Sequence, residues 1–333
     1  MNAPVLIRTV DTHAEGMPLR VIVEGLPPIR GNSMHERLAW ARTNLEWVRD
    51  LLVNEPRGHG PMMFAILTPP VLPDSDWGVI YMSGGGFWPM CGHGTIGLVT
   101  MLVERGLVQV KEPVTEVRLD TAAGLIVTSV RVESRKAVNV TFTNVPSYVL
   151  APNARIEVPG FDKIVVDVAY GGNVYAMIDV KQLGLRVRQE DLHTLVDLGL
   201  EVVKATREQV RYRQPTGVDL GRLSSSLFTE EPEQGAPARN LMVKEPRYFD
   251  RSPCGTGTSV RMALAHSRGE IGLNQPLVCE SMFGTRFEGR LVSCTDVDGI
   301  PAVVPQITGR AWIIGGAEFT LDPSDTFPRG LKY

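Results

Sequence analysis

The run Cys-Gly-x-Gly-Thr occurs twice in this 333-residue chain, at Cys91-Gly92-His93-Gly94-Thr95 and at Cys254-Gly255-Thr256-Gly257-Thr258. Each copy is followed at the same offset by Arg-Gly, Arg105-Gly106 and Arg268-Gly269. The two cysteines stand nearly half the chain apart, which suggests a duplicated unit that contributes one thiol from each copy. A thiol can give a proton and its thiolate can take one. Two matched thiols therefore suit a two-base inversion, in which one group removes a proton from one side of a carbon and the other returns a proton to the opposite side.

The glycines and the following helix supply what such a reaction needs. A glycine-rich loop entering a helix leaves backbone N–H groups with no intrahelical acceptor, and the helix dipole adds partial positive charge there. A substrate carboxylate is the natural guest. The same field favours a thiolate, drawing a cysteine from about 8.5 toward neutrality. A carbanion beside a carboxylate is very unstable, so fixed N–H dipoles around the carboxylate are what would lower the barrier. Either loop alone reads as a buried cysteine before a turn; the matched pair favours function.

His93 invites a metal reading, but Cys91-x-His93 has no second ligand cluster apart from Cys254, and a zinc site needs about four ligands. No metal is expected. His93 reads instead as offering its backbone N–H to the carboxylate and its ring to the substrate nitrogen or a nearby acid. Asp250, four residues before Cys254, is either a surface partner of Arg251 or the holder of a substrate ammonium or imino group. Cys279 and Cys294 lack such a context and read as core or strand residues. Asp11-Thr12-His13-Ala14-Glu15-Gly16 and Glu55-Pro56-Arg57-Gly58-His59 read by themselves as loops with buried salt bridges. No Gly-x-Ser-x-Gly elbow, Walker-type loop, dinucleotide fingerprint or recognisable pyridoxal-phosphate lysine is present, so no cofactor is expected.

The elements that must carry these loops are strands, with few helices. Leu6–Val10, Arg20–Val23, Met63–Leu67 and Trp77–Met82 read as strands, and His35–Leu52 as one surface helix. Thr95–Glu104 is apolar on nearly every face and Thr258–His266 matches it, so both read as helices buried all round, capped at Gly106 and Gly269. Hairpin-like strands follow each, from Val117 to Val127 and from Leu277 to Val292. The second half opens with a strand at Lys163–Val168 and a helix from about Gln189 to Arg211. Glu230–Arg239 reads as a surface loop. The crossover between halves falls near Asn144–Tyr148 or slightly later at Ala151–Asn153.

With 43% hydrophobic residues the chain can bury two cores, so two domains are expected. A net charge of −3 gives no reason to expect nucleic acid or a membrane as partner. No run reaches a membrane-spanning length and the start lacks a leader pattern, so a cytoplasmic location is expected. Four scattered cysteines make no disulfide framework.

The chain resembles the proline racemase family over nearly its full length. The resemblance rests on Asp11-Thr12-His13 with Gly16 and Pro18, Asn54-Glu55-Pro56-Arg57-Gly58-His59, Met90 through Thr95, Asn144-Val145-Pro146, Gly171-Gly172, Asp250 through Thr258, and Gly309-Arg310-Ala311. It implies an α/β (α+β) fold of the diaminopimelate-epimerase type with two pseudo-symmetric halves, each a mixed, mostly antiparallel sheet curled around a central helix. The halves would be residues 1–150 with about 318–333, and 151–317, with the active site in the cleft between them. It implies a cofactor-independent racemase or epimerase acting on a small imino acid, with Cys91 and Cys254 as the acid/base pair. His93 and Asp250 would sit at the substrate nitrogen, and the amides of Gly92, His93, Gly255 and Thr256 on the carboxylate. A homodimer is a further expectation.

Family members that dehydrate trans-3-hydroxyproline usually carry threonine at the second cysteine, so Cys254 argues against that activity. Pocket-wall positions depart from the proline racemases: Met63 and Lys244 stand where aromatic residues are usual, Gly60-Pro61 replaces an acidic pair, and Met17 a polar residue. A buried ring hydroxyl without a partner costs about 1–3 kcal/mol. The more polar pocket therefore leans the expectation to 4-hydroxyproline, with proline next.

Overall fold

The computed structural model of the chain describes residues 5–161, 163–217, 220–232 and 236–331. Its contacts divide it into two compact units, Met1–Phe142 with Arg310–Tyr333, and Thr143–Gly309.

The first unit begins with β1 (Val5–Ala14), β2 (Met17–Glu24), α1 (Met34–Asn44), α2 (Glu46–Val53), β3 (Met63–Thr68), β4 (Trp77–Ser83) and β5 (Gly86–Trp88). It continues with α3 (Gly92–Glu104), β6 (Val114–Thr121), β7 (Gly124–Glu133) and β8 (Lys136–Thr143). The second holds β9 (Ser147–Ile156), β10 (Ile164–Tyr170), β11 (Val174–Asp179), α4 (Leu192–Gln209), β12 (Ser225–Glu230), β13 (Ala238–Lys244) and β14 (Tyr248–Phe249). After these come α5 (Gly255–Ser267), β15 (Leu277–Glu280), β16 (Arg286–Val297) and β17 (Ile300–Gly309). The last strand, β18 (Ala311–Leu321), returns to the first unit and pairs along the whole of β1.

Strand order repeats between the units. The first ladder runs β18-β1-β2-β3-β4-β6-β7-β8, with β5 folded back on β4. The second runs β9-β10-β11-β12-β13-β15-β16-β17, with β14 folded back on β13, and β17 pairs with β9 to close it. Both are antiparallel except at two matching places, β2–β3 with β4–β6 and β11–β12 with β13–β15. Parallel neighbours need a crossover long enough to hold a helix, and the helices lie in those crossovers. α1 and α2 join β2 to β3 as α4 joins β11 to β12; α3 leads to β6 as α5 leads to β15. The duplication visible in the two cysteine motifs thus extends to the whole topology.

α3 is buried from Gly92 to Val103 and packs on β1, β2, β3, β7 and β18. Ile96, Leu98, Val99, Met101 and Leu102 have no exposed surface, and full burial of such side chains contributes about 1.5–3 kcal/mol each. α5 is likewise buried from Gly255 to Leu264. Both helices end as their sequences indicate: Gly106 and Gly269 take left-handed backbones, with φ of 67° and 74°. Past each glycine, Leu107 N–H reaches Leu102 O at 2.8 Å and Glu270 N–H reaches Ala265 O at 2.9 Å. Separate cores lie under α1–α2, around Leu38, Leu51 and Phe64, and under α4, around Val202, Val203 and Phe228.

Three expectations need correction. The single helix over His35–Leu52 is two helices, because fully buried Leu45 leaves helical geometry (φ −112°, ψ 12°) and ends the first. α1 starts on a reciprocal cap, Ser33 Oγ accepting from Glu36 N–H while the Glu36 carboxylate accepts from Asn32 N–H. The helix from Gln189 is a 3-10 turn over Gln189–Asp191 followed by α4, which ends at Gln209. The Glu230–Arg239 loop is shorter at both ends, since Glu230 and Arg239 are paired strand residues; residues 233–235 within it lie outside those described. Cys279 is buried in β15, and Cys294 is exposed in β16.

Candidate active site

In the first unit Cys91 caps α3 in an extended conformation (φ −150°, ψ 117°). Thr95 closes the first turn, its N–H and its hydroxyl both donating to Cys91 O at 2.9 Å. The amides of the preceding helical residues have no acceptor within the helix. The thiol is buried, with the ring nitrogens of His93 at 3.6 and 3.7 Å from sulfur. Behind the loop, the hydroxyl of Tyr81 on β4 lies 2.8 Å from that of Thr95. A Cβ at Gly94 would stand 2.9 Å from the Tyr81 ring and 3.0 Å from the Cys91 sulfur, so only glycine leaves the thiol its place.

In the second unit Cys254 caps α5 with a left-handed backbone (φ 64°, ψ 105°), a conformation that costs a non-glycine residue of order 1–3 kcal/mol. That twist brings the sulfur over the helix start, where it accepts from Gly257 N–H at 3.3 Å. The Tyr175 hydroxyl, on β11, lies 3.6 Å from sulfur and 2.6 Å from the Thr256 hydroxyl. Asp250 is buried just before the loop. One of its oxygens accepts from Ser252 N–H at 2.8 Å and Ser252 Oγ at 2.7 Å, and Ser252 Oγ accepts in turn from Cys254 N–H at 3.2 Å. Arg251 lies over the Phe249 ring, 3.9 Å from its centroid.

Burial, and after it the charge of Asp250, pushes the Cys254 thiol up to about 12, while Tyr175, the Gly257 amide and Thr256 oppose that shift. The helix field alone pointed the other way. At this sulfur burial moves the thiol upward.

Asn240 on β13 supports the second loop from behind: its NH2 donates to Pro253 O at 3.1 Å and Thr258 Oγ1 at 3.3 Å, and its carbonyl accepts from Arg261 at 2.9 Å. The Gly171-Gly172 turn packs against Thr256, where a Cβ on Gly171 would meet Thr256 O at 3.1 Å and Val260 at 2.9 Å. Asn144 holds that turn, donating to Gly171 O and Ser259 Oγ at 2.9 Å each.

The expected residues fall into two groups. Cys91, Gly92 and His93 share one helix start; Cys254, Gly255 and Thr256 share the other, with Asp250 tied to that loop through Ser252. Lys244 is buried at the end of β13, paired with Ser225 and Tyr248. Met63 opens β3 beside Leu19 and is also buried. The Asp11 cluster is scaffold: Arg20 holds Asp11 through two bonds of 2.8 and 2.9 Å and donates to Arg57 O at 2.8 Å, and Arg57 pairs with Asp325. His13 stacks on Trp312 at 5.0 Å.

Sequence reasoning passed over Tyr175, Ser252 and Asn240. Ser252 lies inside the Asp250–Thr258 run, so it was within reach, whereas Tyr175 on its strand reads as core. Asn240 carries no such signal.

Residues 9–332 match the family described as proline racemase. The chain is 47% identical over 331 residues to the 4-hydroxyproline 2-epimerase of Streptosporangium roseum, covering 99% of each. It is 37% identical to the proline racemase of Acetoanaerobium sticklandii, covering 98% of each. Among solved structures it superposes with TM-score 0.95 and 31% identity on a hydroxyproline epimerase from Agrobacterium vitis with bound trans-4-hydroxy-L-proline, over 100% of this chain and 96% of that one.

Proposed function

The chain belongs to the proline racemase family, and from that premise we propose that it inverts the α-carbon of 4-hydroxyproline, without a cofactor, through one thiol of each unit. The observation that carries this reading is the repeated placement of a buried thiol on the first turn of a buried helix.

The two thiols start from different states. Cys254, raised by burial and by Asp250, rests as the thiol and gives a proton. Cys91, whose sulfur faces the His93 ring at 3.6 Å, supplies the thiolate in this direction. Cys91 takes the proton from Cα, the electron pair moves into the carboxylate, and Cys254 S–H protonates the opposite face. The enzyme is left with a Cys91 thiol and a Cys254 thiolate, the form that acts on the opposite epimer. Backbone amides at Gly92, His93, Gly255 and Thr256 carry the developing carboxylate charge, and His93 and Asp250 hold the ring nitrogen.

The ring hydroxyl selects between substrates. Buried Lys244 is a polar group on the hairpin that leads to Asp250, which fits a hydroxylated ring better than a dry aromatic wall. The 47% identity to a 4-hydroxyproline 2-epimerase supports the same choice, and the 37% identity to a proline racemase makes proline the second reading. Chiral chromatography of trans-4-hydroxy-L-proline and L-proline incubated in parallel with the enzyme tests it: turnover of the hydroxylated ring should be the faster, and faster turnover of proline would reverse the assignment.

A further inference from the structure

The second thiol has a neighbour that the two-thiol reading leaves without a role. Tyr175 is a buried phenol whose hydroxyl lies within reach of both the Cys254 sulfur, at 3.6 Å, and the Thr256 hydroxyl, at 2.6 Å. Thr256 itself approaches the sulfur at 3.8 Å. In the first motif the equivalent of Thr256 is His93, whose ring faces the Cys91 sulfur. The second loop thus has two hydroxyls where the first has an imidazole. A hydroxyl differs from an imidazole in one respect that matters here: it can turn from acceptor to donor without gaining or losing a proton.

We propose that Tyr175 is a positioning residue for Cys254, forming with Thr256 a hydroxyl relay that reverses direction as the sulfur changes protonation state. When Cys254 is a thiol, its S–H donates to the Tyr175 oxygen and the phenol O–H donates to Thr256. When Cys254 has given its proton to the substrate carbanion, the phenol O–H turns to donate to the thiolate and Thr256 donates to the phenol oxygen. No proton leaves the relay; only the proton lost from sulfur goes to carbon. Burial, then the nearby Cys254, raises the phenol well above its ordinary range, so it stays a donor throughout. The titratable groups acting on the sulfur are Asp250, which opposes the thiolate, and Tyr175, which favours it.

This rests on Cys254 being the acid/base group, and the test separates the two. Alkylation of Cys254 by iodoacetamide at pH 9, followed residue by residue by mass spectrometry, reads the thiolate fraction without requiring turnover. Tyr175→Phe should slow Cys254 alkylation about tenfold while Cys91 stays within twofold, since a bond to a charged group is lost at one sulfur only. Thr256→Val, which breaks the relay at its other end, should slow it about threefold, and Thr256→Ser should restore the wild-type rate. In turnover, Tyr175→Phe should lower kcat with KM little changed. Unchanged or faster Cys254 alkylation in Tyr175→Phe overturns the proposal, because loosened packing would expose the thiol and speed its reaction. Slower alkylation in an enzyme that exchanges no α-proton would keep the relay and discard the catalytic reading.

Discussion

Gly257 donates its backbone N–H to the sulfur of Cys254 across 3.3 Å, and the left-handed backbone of Cys254 (φ 64°) is what aims the sulfur there. Cys91, in the matching position, is extended (φ −150°) and presents its sulfur to His93. Two copies of one motif therefore hold their thiols in two ways, which fits one thiol starting as donor and the other as base.

Space around each sulfur is the first consequence. A Cβ on Gly257 would lie 3.0 Å from the Cys254 sulfur and 2.9 Å from Leu227, and one on Gly94 would crowd Cys91 in the same way. Gly94→Ala and Gly257→Ala should each lower kcat about a hundredfold, because sub-ångström misplacement of a reacting group is costly. Steady-state kinetics beside a thermal melt checks this, with the loss of activity expected to exceed any loss of stability.

Asp250 provides a second test through its charge. Burial raises the Cys254 thiol first and Asp250 next, so Asp250→Asn removes the second cause and lowers the thiol from its value of about 12. The asparagine oxygen can still accept from Ser252 N–H and Oγ, keeping the loop shape. Cys254 should then alkylate faster at a given pH, while KM for the imino acid rises because the ring nitrogen has lost its counter-charge. Slower alkylation would contradict the assigned sign.

Much of this was legible from residues alone. The two helix starts, their buried length and their glycine caps follow from composition at Cys91–Gly106 and Cys254–Gly269, because those signals are local. Leu45 shows the limit: its period fits a continuous helix, and only packing, which buries it completely, breaks α1 from α2. The return of β18 to β1 is a long-range pairing with no local cue. At the site, cysteines and glycines announce themselves by type and spacing. Tyr175 does not, since a tyrosine on a strand reads as core until its hydroxyl is seen beside Cys254 and Thr256. The state of Cys254 was not legible for a similar reason: the helix field is visible in sequence, and the burial that raises the thiol is not.

Glu245 carries a pH-dependent share of stability in the second unit. Arg207 holds it with two bonds of 2.8 Å and lowers its carboxyl below the ordinary 4.5. A lowered folded value stabilises the protein above the unfolded value, and the gain is lost as pH falls through the folded one. Glu245→Gln should therefore cost about 1–2 kcal/mol in urea unfolding at pH 7. That penalty should shrink below pH 4.5 and vanish once the wild-type carboxylate is protonated.

The two-thiol claim is tested most directly by proton NMR of trans-4-hydroxy-L-proline in deuterium oxide. Wild-type enzyme should replace the α-proton with deuterium as the cis-4-hydroxy-D epimer grows in. Cys91→Ser and Cys254→Ser should each slow epimer formation by about a thousandfold, the scale of losing one acid/base group. Epimerisation at the wild-type rate in either single variant would contradict the account.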